Sequence, residues 1–239
     1  MSGHSKWSTI KHKKAKEDAK RGKEFTKIIK EITVAARVGG GDPAGNPRLR
    51  ELIDKAKAAN MPKENTERAI KKGTGELPGT HYEPMTYEGY GPYGIAVMVE
   101  TLTDNKNRTV SEMRRIFTKT GGNLGETGTV NWMFEHKGVV KAECNNLTED
   151  DLLEKLIDYD IEDISKDEGL FFITCDAKSL ANVKHAVENI GLKVENADLE
   201  WLPKTPAELS EEQAEKAYDF LGTLDDHDDV QNVYTNLNS

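Results

Sequence analysis

Lysines 13, 16, 20, 23, 27 and 30 follow one another at alternating intervals of three and four residues. On a helix that spacing places all six ammonium groups within about a quarter turn or slightly more. The chemistry such a face offers is multivalent contact with phosphate. Like charges one turn apart repel by a few tenths of a kcal/mol each, and Glu or Gln would form helix equally well, so local propensity does not call for the arrangement. A solvated polar face is the ordinary use of a charge run; segregation this strong favours a polyanion. The first thirty residues carry ten Lys or Arg against three acids, a balance of +7 in a chain of formal net charge −9. The candidate nucleic-acid contacts are Lys6, Trp7, Lys11, His12, Lys13, Lys14, Lys16, Lys20, Arg21, Lys23, Lys27 and Lys30. Trp7 can stack on an unpaired base or clamp onto the helical body.

Other constellations offer less. Gly89-Tyr90-Gly91-Pro92-Tyr93-Gly94 spells G-x-G-x-x-G, but a dinucleotide site needs a helix behind the loop to receive the pyrophosphate. Here a strand-like Ile95-Ala96-Val97-Met98-Val99 follows, and Pro92 removes an amide donor, so a hairpin is expected. Tyr87, Tyr90 and Tyr93 are core rings or surface contacts, and Tyr90 with Arg108 is held as a possible secondary contact. Asn105, Asn107 and Arg108 sit where a strand should meet a helix, either in an ordinary turn or against a backbone phosphate. Six histidines and two cysteines show no zinc spacing. Asp225-Asp226-His227-Asp228-Asp229 lacks the spacing of a calcium loop and reads as a solvated turn. No nucleophile elbow, zincin or Walker pattern occurs. The expectation is no catalytic residue, no metal, no cofactor and no small-molecule substrate.

The elements that must carry the lysines can be read from apolar spacing. Phe25, Ile28, Ile29, Ile32, Ala35 and Ala36 lie opposite them, so the later half of a helix over 9–38 can dock on a core while the earlier half projects. Gly39-Gly40-Gly41 stops it. Asn46 caps a second helix with Pro47 at its first position, and a third spans 62–72, ended by Gly73. These make a three-helix bundle over residues 1–75. A Gly/Pro linker follows. Strands are expected near 85–88, 95–102 and 130–134, with a helix capped by Thr109 before the last. From Val139 the pattern runs β-α-β-β-α-β, the split βαβ, ferredoxin-like order, with a capping pair at Thr148 and Asp151. A helix capped by Ser210 and Gln213 and a strand over 230–235 have no sheet of their own. They are expected to complete the sheet begun at Met85. The fold class is thus α+β and multidomain: the bundle, then two ferredoxin-like α/β domains, the last inserted in the second. The boundaries are 1–75, 81–135 with 204–239, and 136–203.

Charge follows the same division. Residues 1–75 sum to +10 and residues 76–239 to −19, so the basic end should meet the partner and the acidic body should stay clear. Two cysteines in 239 residues suggest a reducing compartment, with both thiols as small apolar fillers. No secretion signal or long apolar run stands out, so a cytoplasmic protein without a membrane partner is expected. A membrane-surface helix is the rival use of the basic leader, weakened because only Ile10 is bulky and apolar between Trp7 and Phe25.

Gly3-His4-Ser5-Lys6-Trp7, Phe25-Thr26-Lys27, Gly39-Gly40, Asn46-Pro47-Arg48-Leu49-Arg50, Asn60-Met61-Pro62-Lys63, Tyr87-Glu88-Gly89-Tyr90-Gly91-Pro92 and Gly121-Gly122-Asn123-Leu124-Gly125 closely resemble the YebC/PmpR family over nearly the whole chain. A mitochondrial relative is the translational activator of cytochrome c oxidase subunit one. The resemblance implies three domains, the last inserted in the second, and a non-enzymatic role in gene expression. Bacterial members are commonly described as DNA-binding transcriptional regulators. Other members act on ribosomes or messenger RNA, including relief of stalls at proline runs. The implied partners are therefore DNA, or ribosomal or messenger RNA and the ribosome itself.

Overall fold

A computed structural model describes residues 18–144, 146–167 and 169–238. The N-terminal elements are helices α1 (Asp18–Gly39), α2 (Pro47–Ala58) and α3 (Lys63–Thr74). Their shared core is Ile28, Ile32, Ala36, Leu49, Leu52, Ala56, Met61 and Ala69, the apolar faces expected from spacing. Asn46 joins two helices at once. Its Oδ1 accepts the Leu49 N–H at 3.1 Å, capping α2, and its Nδ2 donates to the Ala35 and Gly40 carbonyls at 2.9 Å.

Gly73 does not end α3. The helix continues to Thr74, and Gly75 takes the left-handed conformation at φ 84°. Gly73 instead lies where α3 presses on α1: an added Cβ would sit 2.5 Å from the Thr33 carbonyl oxygen and 2.8 Å from the Ala36 Cβ. Gly73→Ala should cost about 1–3 kcal/mol through overpacking, read as a lowered denaturation midpoint, whereas Gly75→Ala should strain only its own left-handed turn. A stabilised Gly73→Ala, as helix propensity alone would give, would refute the close approach.

The middle sheet contains β1 (Glu83–Tyr90), β2 (Ala96–Thr103), β3 (Asn123–Leu124) and β9 (Val230–Thr235), ordered β3-β1-β2-β9. Helix α4 (Lys106–Lys119) follows β2, and α7 (Glu211–Asp225) precedes β9. Both cover one face, where Met113 and Phe117 meet Ala217, Phe220, Leu221 and Leu224 above Val97, Val99 and Val233. The Phe117 and Phe220 rings meet edge-on at 5.1 Å, a favoured aromatic geometry. The last long strand thus joins the sheet begun at residue 83, with β9 antiparallel to β2.

Between β3 and α7 the chain builds a second sheet. It holds β4 (Phe134–Glu143), β5 (Ile161–Asp167), β6 (Leu170–Asp176) and β7 (Val194–Pro203), with α5 (Glu149–Lys155) and α6 (Leu180–Asn189) on one face. The order β5-β6-β4-β7, antiparallel throughout, is that of a split βαβ unit. Thr148 and Asp151 form the capping box at α5, and Ser210 and Gln213 form one at α7. Two short strands, β8 (Ala207–Glu208) and β10 (Leu237–Asn238), pair in parallel.

Two further expectations need correction. Residues 130–134 are not a strand: Val130 is buried, a 3-10 turn spans Asn131–Met133, and β4 begins at Phe134. Thr109 does not cap α4. Asn105 does, accepting the Arg108 N–H at 3.1 Å, while the Thr109 hydroxyl turns inward.

Candidate nucleic-acid interface

The lysine face of α1 divides at Lys23. Lys23 pairs with Asp226 at 3.2 Å, Lys27 with Asp225 at 3.0 Å and Lys30 with Asp229 at 2.8 Å. One turn of α1 separates each lysine from the next, and the end of α7 with the loop leading to β9 supplies their partners. The Asp225–Asp229 run is therefore not a solvated turn; it receives α1. Lys23, Lys27 and Lys30, expected from spacing to contact a polyanion, are each ion-paired with a carboxylate of the body. Exposure grades along the row, from about half-exposed at Lys23 to 8% at Lys30. The outer pair thus contributes little and the inner one is a buried ion pair.

Lys30 also donates to the Asp228 carbonyl at 2.8 Å and the Leu102 carbonyl at 3.3 Å, and lies 5.2 Å from the Tyr82 ring centre. Across Asp229, Oδ2 accepts from Arg108 Nη2 at 2.6 Å and from the Thr109 hydroxyl at 2.8 Å. Burial alone would raise the Asp229 carboxyl. The hydrogen bonds from Lys30, Arg108 and Thr109 outweigh it and hold the group well below the usual carboxylate range. Arg108, a possible secondary contact from its position, pairs with Asp229 and with Asp104, the latter at 2.9 Å.

His227 lies in the same loop. Its Nδ1 accepts the Asp229 N–H at 3.1 Å, so Nε2 carries the proton and donates to Glu112 at 2.9 Å. Glu112, His227 and Asp229 bring three possible ligand atoms within 4.8 Å of one another. Every one of those groups already has a protein partner, and two cations flank Asp229, so the grouping is a poor fit for a metal.

The other candidates are placed as follows. Lys6, Trp7, Lys11, His12, Lys13, Lys14 and Lys16 lie outside the described residues. Lys20 and Arg21 fall on the first turn of α1. Tyr90 ends β1 and is 37% exposed; Tyr87 is buried in the core under α4 and α7. Tyr93 is 48% exposed in a tight turn at φ 60°, followed directly by β2. No helix stands behind the glycine loop, so it is a hairpin. Burial, then Glu162, Asp176 and Asp160, push the Cys175 thiol up to about 11, which leaves it an unreactive filler.

A second acidic contact was not legible beforehand. Asp198 on β7 lies 3.8 Å from Arg48 and 3.6 Å from Lys55 of α2. Burial would raise its carboxyl, but Lys55 and then Arg48 hold it below the usual range. Arg48 and Lys55 therefore join the bundle to the second sheet as the α1 lysines join it to the first. Among the described residues, no helix is long and apolar enough to cross a membrane.

Comparison with known proteins follows the same lines. Residues 5–76 match the model described as the TACO1/YebC protein N-terminal domain, and residues 82–237 match the TACO1/YebC second and third domain. A probable transcriptional regulatory protein of Geotalea uraniireducens is 55% identical over 99% of this chain and 96% of its own. One from Chlorobaculum tepidum is 53% identical over 99% and 95%. The crystal structure of a conserved hypothetical protein from Aquifex aeolicus superposes with a TM-score of 0.86 at 48% identity, covering 93% of this chain and 92% of that one.

Proposed function

This chain belongs to the TACO1/YebC family, and on that premise we propose that it is a cytoplasmic, non-enzymatic regulator that binds nucleic acid through its basic leader, with duplex DNA as the target. Residues 1–75 form the binding domain; residues 81–135 with 204–239, and the inserted residues 136–203, form the acidic domains that dock and orient it. The observation that carries the reading is the division of the lysine face. Lys23, Lys27 and Lys30 fix α1 to the body. Residues 1–22 still hold seven Lys or Arg against two acids. Charge of one sign ahead of an anchored helix suits phosphate contact. Support for a regulatory role comes from the relatives, named probable transcriptional regulatory proteins. Phosphate contact is tolerant of sequence, so specificity has to come from DNA shape or a second partner.

The test is the salt dependence of binding to a duplex. Changing Lys6, Lys11, Lys13, Lys14 and Lys16 to Gln should weaken binding and flatten the slope of log K against log salt by ~0.9 per lost phosphate contact. Lys23→Gln with Lys27→Gln should leave the slope near wild type, since those amines are paired. An unchanged slope in the leader variant would remove the leader as the binding element. Binding to structured RNA with none to duplex DNA would move the target to RNA.

A further inference from the structure

Helix α4 is the positively charged helix of the acidic body. It carries Lys106, Arg108, Arg114, Arg115 and Lys119 against Glu112 alone, while residues 76–239 sum to −19. Its charges fall into two groups. Those up to Glu112 are used internally: Lys106 pairs with Glu83, Arg108 with Asp104 and Asp229, and Glu112 with His227. The three cations after Glu112 are exposed and pair with nothing among the described residues. At about 100° per residue, Asn107, Ser111, Arg114, Thr118, Arg115 and Lys119 cover an outer arc of roughly 140°. That arc, into which the paired Arg108 also falls, holds cations, hydroxyls and an amide; the nearest carboxylate of the helix, Glu112, lies about 20° beyond its Lys119 edge and is engaged by His227. Favourable interaction with the helix C-terminus accounts for a cation in the last turn. It does not account for Arg115 and Lys119 repelling each other at i,i+4.

We infer that the outer face of α4 is a second contact for the sugar–phosphate backbone of the nucleic acid that the leader binds, with Arg114, Arg115 and Lys119 as the phosphate contacts and Thr118 as a hydroxyl donor to the backbone. This rests on the proposed function and extends it to the middle domain. Position supports it: the α7–β9 loop touches α4 through His227 and Glu112, and touches α1 through Asp226 and Lys23. The two basic elements therefore flank one loop. The exposed carboxylates of α7 on the other side, Glu212, Glu215 and Asp219 among them, confine the backbone to the arc of α4 itself. Over the seven residues from Glu112 to Lys119 the helix rises ~10 Å, room for a short stretch of one strand.

The experiment compares the full-length wild type, R114Q/R115Q/K119Q and the leader variant K6Q/K11Q/K13Q/K14Q/K16Q by fluorescence anisotropy on one 20-base-pair DNA duplex across a salt series. The α4 variant should lose up to ~0.9 units of slope per contact, or ~2.7 in all, and its loss should add to that of the leader variant. The charge-keeping R114K/R115K should retain the wild-type slope, which separates lost charge from lost folding. A wild-type slope in R114Q/R115Q/K119Q, with a reduced slope in the leader variant, overturns the α4 contact and leaves the leader reading intact. A wild type that fails to bind the duplex overturns the leader reading, and this one with it. Equal losses in R114K/R115K and the Gln variant would overturn the assignment to charge.

Discussion

Asp229→Ala lowers the stability of the folded chain by about 3–5 kcal/mol, the usual consequence of removing one side of a buried ion pair. The carboxylate is 3% exposed and bonded by Lys30, Arg108 and Thr109. Without it, Lys30 keeps two carbonyl acceptors but stays 8% exposed without its counter-ion. Arg108, more exposed and still beside Asp104, loses less. Replacing both charges at once, as in Lys30→Met with Asp229→Ala, should recover part of the loss, because the unpaired buried ammonium is then gone. Chemical denaturation of wild type, both single variants and the double gives the coupling; strictly additive losses would refute the pair. The pH dependence has a definite sign. A carboxyl held below its unfolded value, near 3.9, contributes stability that is complete above that pH and is lost as the pH falls through the folded value. Wild type should therefore weaken in acid below about pH 4 by more than Asp229→Ala does, and the two curves should converge as the pH falls.

The same site shows where sequence reasoning stops. Helix caps were legible because their partners lie three residues apart: Asn46 with Leu49, Thr148 with Asp151, Ser210 with Gln213. The β-α-β-β-α-β alternation was legible because strand and helix periods differ, and it led to the observed order of the second sheet. Lysine spacing correctly placed one face of α1 but could not name what it faces. Its acceptors are some two hundred residues away, and charge runs look alike whether solvated or paired. A hint was present in composition: the densest acidic run follows directly on the expected last helix, beside a basic chain start in need of counter-ions. Thr109 drew the cap assignment because a Thr before an apolar run is a fair N-cap. Asn105 held the position, leaving the Thr109 hydroxyl for Asp229. Gly73 was read as a stop because glycine ends helices often; here it marks a close helix crossing that only the packed bundle reveals.

Residues 130–134 failed for a related reason, and the cause is itself testable. Their apolar residues suit a strand, but Glu88, forty-odd residues earlier on β1, imposes another shape. Its carboxylate accepts the N–H groups of Gly128, Val130 and Asn131, each at 2.9 Å, while its carbonyl accepts from Gly125 at 2.8 Å. Backbone donors converging on one anion form a nest, and this one bends the chain so that Val130 enters the core with Ala96, Met98 and Phe134. That cluster also touches Trp201 of β7, whose indole donates to Glu100 of β2 at 3.1 Å. The nest thus fixes the junction between the two sheets. Glu88→Ala strands three amide donors at about 1–3 kcal/mol each where water cannot reach. Val130 is fully buried while Gly128 and Asn131 are exposed, so water recovers part, and the expected loss is ~2–4 kcal/mol. Glu88→Gln keeps the volume and one acceptor but turns an amide N–H toward donors, so it should recover less than half. Hydrogen exchange gives the local reading: the amides of Val130 and Asn131 should lose protection in Glu88→Ala, while those of α2 and α3 in the N-terminal bundle keep theirs. Wild-type protection at Val130 would mean the turn is held by its own packing, and the carboxylate would then be a passenger in the loop rather than its organiser.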